Sequence, residues 1–195
     1  LLKFIFISLL IIHQFHYGFA QADSTTYLSL IKTELKEEYP KNRTISLVFH
    51  GHSVPAGYFK TPVVNTLQSY PFLVLKQVKE KYPTAVVNVI VTAIGGENSE
   101  RGEKRFKDDV LTHKPDVLFI DYALNDRVLG IEKSKAAMSK MIDTALAKGI
   151  KVILLTPTPH QSFNILDTLN VYEAFKNEVT ELAKQYNIGL VDSYA

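Results

Sequence analysis

Four short segments of the chain carry side chains able to do chemistry: His50-Gly51-His52-Ser53-Val54-Pro55-Ala56-Gly57, Ile94-Gly95-Gly96-Glu97-Asn98, Ala123-Leu124-Asn125-Asp126 and Pro157-Thr158-Pro159-His160. A Ser at a turn between strand and helix exposes its hydroxyl and can aim its own N–H at a bound oxygen. Pro55, two residues on, suits the first turn of such a helix. A Gly lets its backbone N–H approach a substrate with no side chain in the way. An Asn carboxamide adds a neutral donor. Together these are the parts of a Ser nucleophile with an oxyanion hole. Taken singly, each is as well explained as a turn former or cap.

The case for chemistry therefore depends on the elements that position these segments. Thr44–His50, Ala85–Thr92, Val117–Tyr122, Lys151–Thr156 and Ile188–Val191 are apolar, β-branched runs that read as strands. Helical patterns lie between them, at about 63–82, 100–112, 132–148 and 165–186, and a further helix over 24–38 precedes the first strand. In the third of these, Ala137, Met138, Met141, Ile142, Ala145 and Leu146 form one apolar face, and Gly149 follows as a stop. Strands alternating with helices imply right-handed crossovers and a parallel sheet covered on both faces. The near-continuous apolar strands agree, since parallel strands are buried on both sides. The expected fold is α/β, a three-layer αβα sandwich with a flavodoxin-like, five-stranded parallel sheet. Each of the four chemical segments directly follows a strand, at the carboxyl edge where such sheets bind ligands.

At these residues the sequence resembles the SGNH/GDSL hydrolase family. Gly51-His52-Ser53 stands where the family has its Gly-Asp-Ser nucleophile block. Ile94-Gly95-Gly96-Glu97 resembles the second block, whose Gly donates a backbone N–H; loop position favours Gly96 over Gly95. Ala123-Leu124-Asn125-Asp126 resembles the Gly-x-Asn-Asp block, with Asn125 the side-chain donor. The resemblance covers roughly residues 44–195. It implies Ser53 as catalytic nucleophile and Ser53, Gly96 and Asn125 as the oxyanion hole, with His52, Gly95 and His160 available to line the pocket. Two positions depart from the pattern, His52 for Asp and Ala123 for Gly. Neither supplies the nucleophile or an oxyanion donor.

The family's last block is Asp-x-x-His, whose His takes the Ser proton while the Asp orients the imidazole. Here Asp192-Ser193-Tyr194-Ala195 has Ala195 in the place of that His. Asp192 is read instead as a strand-end residue, with the catalytic pair expected beyond Ala195 and the domain incomplete at its C-terminus. No other His is a ready substitute. His113 precedes Pro115 and the third strand, and so lies at the wrong end of the sheet. His50 belongs to a strand. His52 is next to Ser53, and neighbouring side chains at a strand end diverge.

Composition excludes other classes. The chain has no Cys, which removes disulfides, thiolate metal sites and Cys nucleophiles. Its 22 basic and 20 acidic residues give a net charge of only +2, too slight to imply a nucleic-acid partner. The cluster Lys104-Arg105-Phe106-Lys107 runs into Asp108-Asp109 and reads as a solvated helix face. No cofactor or metal is expected: Glu97, Asp121 and Asp126 read as isolated acids, and no phosphate-loop or dinucleotide signature occurs. A flavodoxin-like anion binder built on Gly95-Gly96 is disfavoured for the same reason.

Residues 1–22 (LLKFIFISLLIIHQFHYGFAQA) have the order of a secretory signal peptide: one Lys, an apolar run and then small residues. The apolar run is shorter than the roughly 20 residues that span a bilayer. The expectation is one SGNH-like domain over 23–195, secreted or periplasmic, with no stable membrane insertion after cleavage. Export and resemblance together imply an O-acetyl or other short-acyl carbohydrate or small-molecule ester as substrate. The alternatives are a lipase- or thioesterase-type hydrolase, or a non-catalytic binder of acylated glycans.

Overall fold

The five apolar runs form a single sheet, whose three central strands are largely buried and whose two edge strands are partly exposed. In the computed structural model, which describes residues 21–159 and 170–194, that sheet is formed by β1 (Thr44–Gly51), β4 (Val86–Val91), β5 (Val117–Asp121), β6 (Lys151–Leu155) and β7 (Gly189–Val191). All pairings are parallel and the strand order is β4-β1-β5-β6-β7. Counting only these strands, this is the 2-1-3-4-5 order of flavodoxin-like folds, whose switch point lies between the first strand and the third. Here those strands are β1 and β5.

Alternation along each strand divides the core in two. Val48, Leu118, Ile120, Val152 and Leu154 point to one face, beneath α4 (Ser99–Asp109), α5 (Ile131–Leu146) and α6 (Val171–Tyr186). Leu47, Phe49, Val117 and Phe119 point to the other, toward α1 (Ser29–Glu34) and α3 (Tyr70–Lys81). Register pairs Phe49 with Phe119, and their rings stack at 4.3 Å. The apolar stripe of α5 is buried as its spacing requires, at Ala137, Met138, Met141, Ile142 and Ala145. Each of these side chains stabilises the fold by roughly 1–3 kcal/mol on burial, the large ones most.

Two helical expectations need correction. The helix expected over 63–82 begins only at Tyr70. Its first third holds β3 (Val63–Val64), which pairs antiparallel with the preceding β2 (Tyr58–Lys60) in a small hairpin, and then a 3-10 turn over Thr66–Gln68. The β-branched Val63 and Val64 suit a strand, and Pro71 sits in the first turn of α3, where its missing N–H costs nothing. The helix expected over 24–38 is only six residues long. Of residues 1–22, only Gln21 and Ala22 are described; Ala22 is buried, and its N–H donates to the Ile188 carbonyl at 3.3 Å. Among the described residues no helix is long and apolar enough to cross a membrane.

Candidate active site

Ser53 is the first residue of α2 (Ser53–Ala56), a one-turn helix that leaves the carboxyl end of β1 directly. His52 is its N-cap: the Nδ1 of His52 accepts the Val54 N–H at 3.2 Å. Gly57 closes the turn in a left-handed conformation. Gly51 is needed for packing. Its strand partner is Asp121, and a Cβ at Gly51 would lie 2.5 Å from the Asp121 carbonyl oxygen. The close approach of β1 and β5 thus brings the Ser53 turn against the end of β5, where the His52 N–H donates to that same carbonyl at 3.2 Å.

The other loops are bonded to this turn and to each other. The Ile94 N–H donates to the Gly51 carbonyl at 3.0 Å, which draws the Gly95-Gly96 loop to the end of β1. Gly96 has φ +73, and a Cβ there would meet nothing within 4 Å, so its backbone stands in open space. At Gly95 a side chain would press on the Tyr58 ring at 3.1 Å, so that residue faces the hairpin. The Asn125 carboxamide donates one N–H to the Glu97 carbonyl at 3.0 Å, leaving its second N–H for a ligand. Asp126, fully buried, accepts the Ser99 N–H at 2.8 Å and the Ser134 hydroxyl at 2.7 Å. The segments carrying Ser53, Gly96 and Asn125 therefore meet on one rim, at the β1/β5 switch point. An apolar groove of about 590 Å³ opens beside Val54, lined also by Tyr58, Tyr70, Phe119 and Leu155. His160 lies outside the described residues.

Several acids and bases differ from their sequence reading. Glu97, Asp121 and Asp126 are not isolated; each is buried and held by specific partners. Glu97 takes a two-pronged contact from Arg105 and the Tyr122 hydroxyl at 2.8 Å. Arg105 is accordingly turned inward, and Phe106 is buried beside it, so the basic cluster is not simply a solvated face. The Arg105 charge next to the Gly96 loop is neutralised by Glu97 and Asp109, which leaves it poorly placed to attract a phosphate.

His50 is fully buried, bonded to Thr92 Oγ1 at 2.8 Å and to the Tyr122 hydroxyl at 3.1 Å. Burial, and then the Arg105 charge, push it down to about 4, so it stays neutral. Burial likewise drives the Tyr122 hydroxyl well above its ordinary value, keeping it a neutral donor. Asp192 behaves as a strand-end residue, accepting from the Thr156 hydroxyl at 2.9 Å and the Tyr194 N–H at 3.1 Å.

His52 requires a correction. Its side chain does not diverge from Ser53; Nδ1 lies 3.5 Å from Ser53 Oγ. At the N-cap the chain leaves the pleat of the strand, and the ring folds back over its own helix turn. That nitrogen is already occupied by the Val54 N–H, which makes His52 a cap rather than a free base. Behind it stands Asp121, which the sequence offers only as an isolated acid, with Oδ1 3.2 Å from His52 Nε2 and Oδ2 accepting from the Tyr70 hydroxyl at 3.2 Å. The signal that could have found it was an acid ending an otherwise apolar central strand.

A flavodoxin-like sheet with Ser, Gly and Asn loops gathered at its switch point defines a class of α/β proteins built around a Ser turn. The chain belongs to the GDSL-like Lipase/Acylhydrolase family, which it matches over residues 49–195. An uncharacterized lipoprotein of Bacillus subtilis (strain 168), YqeF, is 27% identical over 135 residues, covering 55% of this chain and 55% of that protein. The chain thus spans only about half the length of that relative. A G-D-S-L family protein from Desulfitobacterium hafniense DCB-2 superposes with a TM-score of 0.62 at 26% identity, over 75% of this chain and 76% of that one. An acetyl xylan esterase, AlAXEase, superposes with a TM-score of 0.63 at 25% identity, over 77% and 78%.

Proposed function

We propose that the protein is a Ser-dependent hydrolase of acyl esters, exported and acting on short acyl groups such as O-acetyl carried by carbohydrate. Membership of the acylhydrolase family supports ester hydrolysis, and the likeness to an acetyl xylan esterase supports the carbohydrate substrate. Similarity to a lipoprotein supports export. The observation that carries the reading is the position of Ser53: first residue of a helix turn at the switch point, with the Gly96 and Asn125 loops bonded to the same rim.

In this reading Ser53 Oγ attacks the ester carbonyl. The N–H groups of Ser53 and Gly96 and the free N–H of Asn125 receive the oxyanion. A His takes the Ser proton and returns it to the leaving alcohol, and water then releases the acyl group from Ser53. Among the described residues, neither His50 nor His52 is free for this role, and His113 follows α4 at the opposite end of the sheet. In the family pattern the base is the His of an Asp-x-x-His block, oriented by its Asp.

The apolar groove beside Val54 favours a second reading, a lipase-type hydrolase of longer acyl chains. Acetylated xylo-oligosaccharides and p-nitrophenyl esters of graded chain length separate the two, assayed on the product of the complete gene. Preference for acetyl supports the first, and preference for octanoate the second. Ser53→Ala abolishes hydrolysis in both; wild-type turnover in that variant ends the reading. A protein that binds acylated glycan but turns over no ester is a non-catalytic binder.

A further inference from the structure

We propose that Asp121 is a positioning residue of the nucleophile turn: it fixes the tautomer of His52, and so keeps Nδ1 available to cap the helix that presents Ser53. This rests on the reading of Ser53 as nucleophile. The cap itself is an observation, since His52 Nδ1 accepts the Val54 N–H at 3.2 Å. An imidazole can do that only with its Nδ1 lone pair free, and a neutral ring then carries its proton on Nε2. A carboxylate at this position would be an acceptor whatever its orientation. His is not, and needs something to choose the tautomer.

Asp121 is placed to make that choice. Its Oδ1 is the oxygen facing Nε2, at 3.2 Å, and the two side chains are 1% and 0% exposed. The pair is not aligned as a hydrogen bond and neither atom has another partner among the described residues, so charge on the carboxylate, little screened at this depth, is what favours a proton on Nε2. The Tyr70 hydroxyl holds the other oxygen at 3.2 Å, and burial, followed by the Asp121 charge, keeps that phenol protonated. Gly51 is what lets Asp121 come so close, since a Cβ there would stand 3.1 Å from the Asp121 Cβ. Asp126, the other acid near His52, is already held by Ser99 and Ser134. The opposite tautomer would set an Nδ1–H against the Val54 N–H and open the turn on which Ser53 Oγ sits, 3.5 Å away.

The test combines a spectroscopic reading with a double-mutant cycle. In 15N NMR of the wild-type protein, the His52 signal, assigned by its loss in His52→Asn, should show an unprotonated Nδ1 and a protonated Nε2. Asp121→Asn removes the charge and, with its carboxamide oxygen kept by the Tyr70 hydroxyl, turns an N–H toward Nε2, so it should shift that signal toward the Nδ1–H form and lower kcat by about tenfold or more with KM nearly unchanged. With His52→Asp, which restores an acceptor-only cap but sets two buried carboxylates face to face, Asp121→Asn should instead raise kcat. A wild-type His52 protonated on Nδ1, or an Asp121→Asn effect of the same sign and size in both backgrounds, overturns the proposal. If Asp121→Asn does not fold, Asp121→Ala, which removes the charge without adding a donor, takes its place in the cycle and is read the same way. Failure of the Ser53 reading is distinct: Ser53→Ala would then keep wild-type turnover, whatever the tautomer of His52.

Discussion

The Asn125 carboxamide donates to the backbone carbonyl of Glu97 at 3.0 Å, tying the loop after β5 to the loop after β4. One amide hydrogen is thereby fixed and the direction of the other is set. An oxyanion donor must be held before the charge appears, because reorientation during the reaction would cost what the donor contributes.

On the proposed reading, Asn125→Ala removes an oxyanion donor without touching Ser53. Turnover should fall by about 10²–10³, as for the loss of one oxyanion donor elsewhere. KM should change little, since the interaction strengthens only in the transition state. Steady-state kinetics on a short acyl ester check this, and a variant with wild-type kcat removes Asn125 from the site.

Glu97→Gln tests the support beneath that loop. The substitution leaves Arg105 beside a neutral amide and strips Tyr122 of its charged acceptor. Breaking a buried ion pair destabilises by roughly 3–5 kcal/mol, with the low end expected here because the Arg105 side chain keeps 16% of its exposure. Urea denaturation measures the loss. A change within experimental error would mean that Glu97 is not the anchor of the loop.

Much of this was legible from residues alone. The sheet strands could be read because burial on both faces writes continuous apolar runs, and α5 because its stripe is intact. The segment 63–82 was misread because apolar residues of the hairpin and of α3 merge into one helical-looking pattern. The common rim of Ser53, Gly96 and Asn125 could be read because each segment follows a strand. The contact of Asp121 with His52 could not, since it depends on the register that sets Asp121 opposite Gly51, and register is a property of two strands together. The reach of His52 was missed because divergence of neighbouring side chains holds for extended strand, and the chain has already left it at the cap.

Glu178 gives the fold an expected pH dependence. It is 7% exposed on α6, neither carboxyl oxygen has a hydrogen-bond partner among the described residues, and the nearby Ser134 hydroxyl already donates to Asp126. Burial pushes its carboxyl from 4.5 up to about 7. The folded state therefore holds this proton more tightly than the unfolded chain does. Its contribution to stability is fully present below pH 4.5 and is lost as pH rises to about 7. Glu178→Gln should flatten that part of the curve, matching wild type near pH 4 and exceeding it near pH 8. Thermal unfolding across this range checks it; a variant less stable than wild type near pH 8 would show that the ionised carboxylate is stabilising.

The central claim, that Ser53 is an activated nucleophile, is most directly tested with a fluorophosphonate probe that reacts only with such a hydroxyl, followed by peptide mass spectrometry. The product of the complete gene should carry one adduct, on the peptide containing Ser53, and none in Ser53→Ala. A protein that hydrolyses esters yet carries its adduct on another residue, or none at all, would contradict the assignment.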